Sequence, residues 1–114
     1  MTIKQLQVIC HQLATDKGFW EGDRNMGELL MLIVSELGEA LEALRKDKRQ
    51  DNYFTYLGDK CEHVWKKDTF EDELADVAIR LFDLAEAEGV NLTWQIEQKL
   101  EYNKTRPPKH GKLF

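Results

Sequence analysis

The segment LLMLIVSELGEALEALR, residues 29–45, constrains the fold more than any other stretch of this chain. At 100° per residue, Leu30, Ile33, Val34, Leu37, Leu41 and Leu44 share one side of a helix, which predicts an ordinary core face. Leu32, Glu36, Glu39 and Ala43 share the far side at spacings of four, three and four. That second stripe is apolar at both ends and acidic in the middle, a pattern a solvated face would not normally show. The helix is therefore expected to bury two faces, one of them carrying two carboxylates a turn apart.

A later segment, EDELADVAIRLFDLAEAEG, repeats the design. Leu74, Val77, Ala78, Leu81, Leu84 and Ala85 form its core stripe, and Glu73 and Asp76 lie on another face with Arg80, Asp83 and Ala87. A single acid-x-x-acid pair is usually solvent-facing in a chain with 21 Asp and Glu among 114 residues. Two such pairs, each within a mostly apolar helix, weigh about equally as surface patterning and as a site.

Four helices are predicted: Thr2 to Asp16, Met26 to Lys46, Asp68 or Thr69 to Glu88, and a last one after Asn91 or Thr93 that fades before Pro107. The first carries Ile3, Leu6, Ile9, Cys10 and Leu13 on one stripe, with Gly18 as its stop signal. Between the second and third lies a connection rich in aromatics (Tyr53, Phe54, Tyr56, Trp65), with room for a short helix and no β-type alternation. The class is all-α and four-helix-bundle-like, with one domain over residues 1–106 and a basic tail over 107–114.

Hydrophobic residues make up 42% and charged residues 32%, which excludes a disordered chain, and no apolar stretch is long enough to span a membrane. The opening MTIKQLQVICHQL interleaves polar and apolar residues and lacks signal-peptide architecture. Cys10 and Cys61 fit no paired-ligand spacing and read as reduced thiols, so a cytoplasmic location is expected. A net charge of −5 argues against nucleic-acid binding, yet Lys99, Lys104, Arg106, Lys109 and Lys112 make the C-terminal end basic.

If the four carboxylates face one another, they need a cation or a proton. Two unit charges about 4 Å apart repel by roughly 4 kcal/mol at an effective dielectric near 20. All-oxygen ligation selects a hard ion, Mg²⁺ or Mn²⁺. Di-iron bundles use Glu-x-x-His, whereas here Glu39 and Asp76 stand at the third positions, and His11, His63 and His110 lie outside both pairs.

SELGEALEALR, EDELADVAIRLFDLAEAEGVNL and KLEYNKTRPPKHGK together resemble the MazG-like all-α nucleoside triphosphate pyrophosphohydrolases, and KGFWEGDRNMGELLMLIVSE resembles the N-terminal part of one bacterial and phage branch. The resemblance implies a Mg²⁺-dependent hydrolase that converts (d)NTPs to monophosphates and pyrophosphate in nucleotide-pool house-cleaning. It also implies a bundle completed by homo-oligomerisation, as dimer or tetramer. By position it makes Glu36, Glu39, Glu73 and Asp76 the metal ligands, and it sets Lys99, Asn103 and Arg106 on the phosphate side. From the residues alone, those three read as a basic, fraying helix end. Two departures stand out: Ser35 occupies a place where many members carry a further Glu, and the 33 residues between Glu39 and Glu73 exceed the usual length.

The expected chemistry is attack of a metal-aligned water on the α-phosphorus, with Glu36 or Glu39 orienting or deprotonating that water. Trp20, with Lys17 and Phe19, is the candidate for nucleobase contact, in equal balance with a role as core anchor. Trp65 and Trp94 are expected to pack, Asp83 to pair with a basic group of the last helix, and Cys61 and His63 to be structural. The competing readings are a sibling pyrophosphohydrolase acting on a nucleotide such as phosphoribosyl-ATP, and a non-catalytic helical dimer that binds metal or nucleotide.

Overall fold

A computed structural model describes the backbone of residues 1–114 and all side chains except those of Thr55, Tyr56, Leu57 and His63. The sequence readings of Tyr56 and His63 thus lie outside the described side chains. Four helices dominate: α1 (Ile3–Asp16), α2 (Met26–Arg45), α3 (Phe70–Ala87) and α4 (Leu92–Lys104). None is long and apolar enough to cross a membrane among the described residues.

Each helix starts where a short polar side chain can accept an otherwise orphaned N–H. Thr2 and Gln5 form a reciprocal capping box on α1, with Gln5 N donating to Thr2 Oγ1 at 3.1 Å. Asn25 Oδ1 accepts from Glu28 N, Thr69 Oγ1 from Asp72 N and Asn91 Oδ1 from Trp94 N. Of the two candidate caps for α3, Thr69 is the one used.

The connection between α2 and α3 differs from expectation. It holds a short 3₁₀ turn at Gln50–Asn52 and an antiparallel hairpin of β1 (Phe54–Leu57) and β2 (Lys60–His63). The physical signal is the Gly58-Asp59 pair, a two-residue loop with glycine first and at φ +63°. A strand of four residues is too short for alternation to stand out from an irregular aromatic run.

α3 is the central helix, with α1 and α2 packed on it, whereas α4 touches the rest chiefly through α1. The start of α3 is clamped to the end of α2. Phe70 N donates to Lys48 O at 2.8 Å, and Glu71 accepts from Gln50 N and Arg49 Nε, both at 2.8 Å. These donors, the Gln50 N–H first, hold the Glu71 carboxyl below its ordinary range. α2 and α3 are thereby fixed as antiparallel neighbours in one register.

Of the two faces of α2 expected to be buried, only the acid-bearing one is covered within the chain. Leu30, Val34, Leu37, Leu41 and Leu44, expected as core, are 42–59% exposed. The side turned to α3 is instead the acid-bearing one, with Ala40 and Ala43 buried and Leu32, Ile33 and Glu36 half-buried. Alanines allow close approach of the backbones, and shape rather than hydrophobicity selects the inner face. In α3, Leu74 and Leu81 are likewise exposed while Ala85 is buried. In α1, Cys10 is buried but Ile9 and Leu13 are exposed. Trp65 and Trp94, expected to pack, are 68% and 52% exposed.

The chain is correspondingly open. Its radius of gyration is 17.7 Å, against about 13 Å for a compact domain of this length. Residues after Arg106 continue as an exposed tail with a 3₁₀ turn at Pro108–Gly111.

Candidate metal centre

The clamp between α2 and α3 brings Glu36 of α2 against the first two turns of α3. One carboxylate oxygen each from Glu36, Glu73 and Asp76 lies within 4.8 Å of the others. Glu73 is only 6% exposed, and Glu36 and Asp76 are half-buried. Glu39 departs from the expected foursome. It is exposed, outside this triad, and lines an open cavity of about 290 Å³ with Glu42, Ala43, Lys46, Lys48 and Asp68.

Burial first, then a hydrogen bond with Glu36 and the charges of Glu36, Asp76 and Glu39, pushes the Glu73 carboxyl up to about 7. Asp76 is raised too, by burial and by the charges of Asp72 and Glu36, with Arg80 acting in the opposite sense. Carboxylates concentrated at this density either hold protons or hold a cation. Two oxygens each ~2.1 Å from one Mg²⁺ lie at most about 4.2 Å apart. Three oxygens that all lie within 4.8 Å of one another sit no more than ~2.8 Å from a common centre, so shifts of roughly 0.7 Å or less bring all three to ~2.1 Å from one ion. The donor set is all carboxylate oxygen, which fits Mg²⁺ or Mn²⁺ and not a site requiring histidine or thiolate.

Two features of the site escaped the sequence reading. Asp68, Asp72 and Glu73 form a second convergent group that shares Glu73 with the first. Its outer members are also occupied with the helix start, since Asp68 N donates to Asp72 Oδ2 at 2.8 Å. The second feature is the bond from Arg80, whose Nε donates to Glu36 Oε1 at 2.9 Å. Its i+4 spacing from Asp76 was visible, but its partner on α2 was not.

Asp83 pairs with α1 and not with the last helix. Its Oδ1 meets His11 Nδ1 and accepts from Trp20 Nε1, each at 2.8 Å. The His11 and Trp20 rings meet edge to face at 5.3 Å, and the Arg24 guanidinium lies 5.8 Å from the Trp20 ring centroid. Arg24 also donates to Phe19 O. Trp20 thus acts as the anchor that closes the loop after α1 onto α3. Lys17 caps the C-terminus of α1 and is exposed.

Lys99, Asn103 and Arg106 are not brought to the carboxylates. Among the described residues no hydrogen bond or ion pair joins them to Glu36, Glu39, Glu73 or Asp76. Lys99 and Arg106 instead flank the Tyr102 ring at 5.0 and 5.5 Å. Asn103 is half-buried, and its Oδ1 is enclosed with no partner among the described residues. Cys61 is exposed.

Searched against protein-family models, curated proteins and solved structures, the chain matches none.

Proposed function

We propose that this chain is a Mg²⁺-dependent, MazG-like nucleoside triphosphate pyrophosphohydrolase that cleaves (d)NTPs to (d)NMPs and pyrophosphate, with Mn²⁺ able to substitute. One observation supports it above the others: Glu73, 6% exposed, faces Glu36 and Asp76 with oxygens within 4.8 Å. A buried group of this kind is unfavourable when fully ionised, and a bound cation relieves that cost.

Glu36, Glu73 and Asp76 would hold the ion. When bound it supplies charge neutralisation and a water polarised for attack. Glu39, at the rim and outside the triad, is the carboxylate left free to take that water's proton. The water oxygen bonds to the α-phosphorus, the bond from that phosphorus to the bridging oxygen breaks, and pyrophosphate leaves. Glu36, tied to Arg80, is the less free of the two candidate bases.

The same reading includes a homo-oligomer, dimer or tetramer. Its support is the α2 stripe Leu30, Val34, Leu37, Leu41 and Leu44, each 42–59% exposed on a helix whose other face is used. Lys99, Asn103 and Arg106 reach no carboxylate of the centre within one chain, so a phosphate role for them belongs to the assembled form. Lys17 and Trp20 remain at the mouth of the α1 loop, and Trp20 contributes there as an anchor before any base contact.

Ser35 favours one second reading. Its Oγ donates to Leu32 O at 2.6 Å and adds no carboxylate where many family members have one. A non-catalytic protein that binds metal and nucleotide would tolerate that loss. Pyrophosphate release from a panel of (d)NTPs and phosphoribosyl-ATP separates the readings. The hydrolase releases it from at least one (d)NTP, the sibling enzyme only from phosphoribosyl-ATP. No release from any substrate with either Mg²⁺ or Mn²⁺ leaves only the binding protein.

A further inference from the structure

Arg80 stands at the edge of the carboxylate triad with a role still open. Its Nε donates to Glu36 Oε1 at 2.9 Å, and Glu36 is mostly enclosed, with 15% of its side chain exposed. The Arg80 side chain is 38% exposed. Among the described residues, neither of its Nη groups has an acceptor. Arginine–carboxylate pairs frequently use the paired fork, two parallel bonds to both oxygens, although Arg49 also meets Glu71 through Nε alone. Arg80 is held by its inner nitrogen, which leaves the outer donors unused beside a cluster of oxygen ligands.

Charge points the same way. Glu36, Glu39, Glu73 and Asp76 carry four negative charges when ionised, and one divalent ion offsets half of them. A polyphosphate arriving at such a site meets net repulsion unless a further cation faces it. Lys46 and Lys48 lie beyond Glu39 at the rim, and Lys46 is 3.3 Å from Glu42. Arg80 is the cation bonded to the triad itself, one turn along α3 from Asp76.

We infer that Arg80 is a phosphate-binding residue: Glu36 fixes it through Nε, and its two Nη groups bind non-bridging oxygens of the substrate's polyphosphate beside the metal. This rests on the metal-centre reading above and deepens it, because it assigns the α3 face between Asp76 and Asp83 to the polyphosphate. It also gives Glu36 two tasks, ligand on one oxygen and holder of the arginine on the other.

The test is calorimetric titration of the full chain with Mg²⁺ alone, and then with inorganic tripolyphosphate at saturating Mg²⁺. The parent is expected to bind both. Arg80→Gln should keep Mg²⁺ affinity within about threefold, or tighten it, and lose roughly 10–100-fold on tripolyphosphate. Arg80→Lys, which retains charge without the fork, should fall between them. The inference is overturned if Arg80→Gln binds tripolyphosphate within about threefold of the parent, or loses Mg²⁺ and tripolyphosphate equally, as a purely structural arginine would. A parent that binds Mg²⁺ but no tripolyphosphate overturns it while the carboxylate site stands. A parent that binds neither ends both. Should circular dichroism show Arg80→Gln unfolded, Arg80→Lys decides, and affinity equal to the parent's counts against the fork.

Discussion

Replacing Glu73 by Gln isolates the charge problem at the centre of the site. In the metal-free chain the Glu73 carboxyl lies at about 7, raised from an ordinary 4.5 by burial and by Glu36, Asp76 and Glu39. A folded-state value above the unfolded one means that the native chain binds the extra proton between those two pH values. Stability from this group is therefore fully present below pH 4.5 and lost as pH rises through 7. At 1.36 kcal/mol for each pH unit, ionising Glu73 at pH 8 costs on the order of 3 kcal/mol. Glu73→Gln removes the charge and keeps a donor for Glu36. In EDTA, at fixed protein concentration, urea unfolding at pH 8 should show the variant more stable by about 1–3 kcal/mol. Near pH 4.5 the two proteins should coincide. Adding Mg²⁺ at pH 8 should reverse the order, because only the parent gains from the ion. A variant less stable than the parent at pH 8 in EDTA would mean that Glu73 contributes through contacts and does not oppose folding through charge.

Two further perturbations probe the scaffold. Leu41→Asp puts a charge in the middle of the exposed α2 stripe, where Leu41 is 59% exposed. Light scattering should show the parent at a multiple of the chain's 13.4 kDa and the variant at that mass, whereas a parent already at 13.4 kDa would remove the oligomer from the account. Trp20→Phe deletes the indole N–H that donates to Asp83 Oδ1 at 2.8 Å. A hydrogen bond to a charged acceptor is worth about 1.5–3 kcal/mol, and denaturant titration should show a loss of that order. An unchanged midpoint would mean that Trp20 is not the anchor of its loop.

Helix limits were legible in the sequence because local chemistry sets them. Thr2, Asn25, Thr69 and Asn91 accept the first N–H groups, and Gly18 and Gly89 take up positive φ beyond the ends of α1 and α3. The pairing of acids across α2 and α3 was half legible: two acid-x-x-acid pairs stood out within mostly apolar helices, but surface patterning explained them as well until Glu36 met Glu73 and Asp76. Which face of α2 turns inward was not, because both stripes are apolar enough to be buried. The choice falls to Ala40 and Ala43, whose small side chains matter only once α3 lies against them. For the same reason Glu39 looked equivalent to Glu36, although a rotation of some 300° along the helix carries it out to the rim. The link from Asp83 to His11 spans 72 residues and leaves no local trace. The hairpin had a signal in Gly58-Asp59, but its strands of four residues are too short for period-two alternation to emerge.

In the proposed reaction, a metal centre of Glu36, Glu73 and Asp76 drives cleavage between the α- and β-phosphates. Its most direct test is pyrophosphate release by the parent and by Asp76→Asn, from the best (d)NTP found in the panel, with Mg²⁺ and then with EDTA. Release is expected from the parent in Mg²⁺, none in EDTA, and at least a hundredfold loss in Asp76→Asn while circular dichroism stays unchanged, the scale of a lost transition-state charge contact of roughly 3 kcal/mol. Equal release by parent and Asp76→Asn would contradict it.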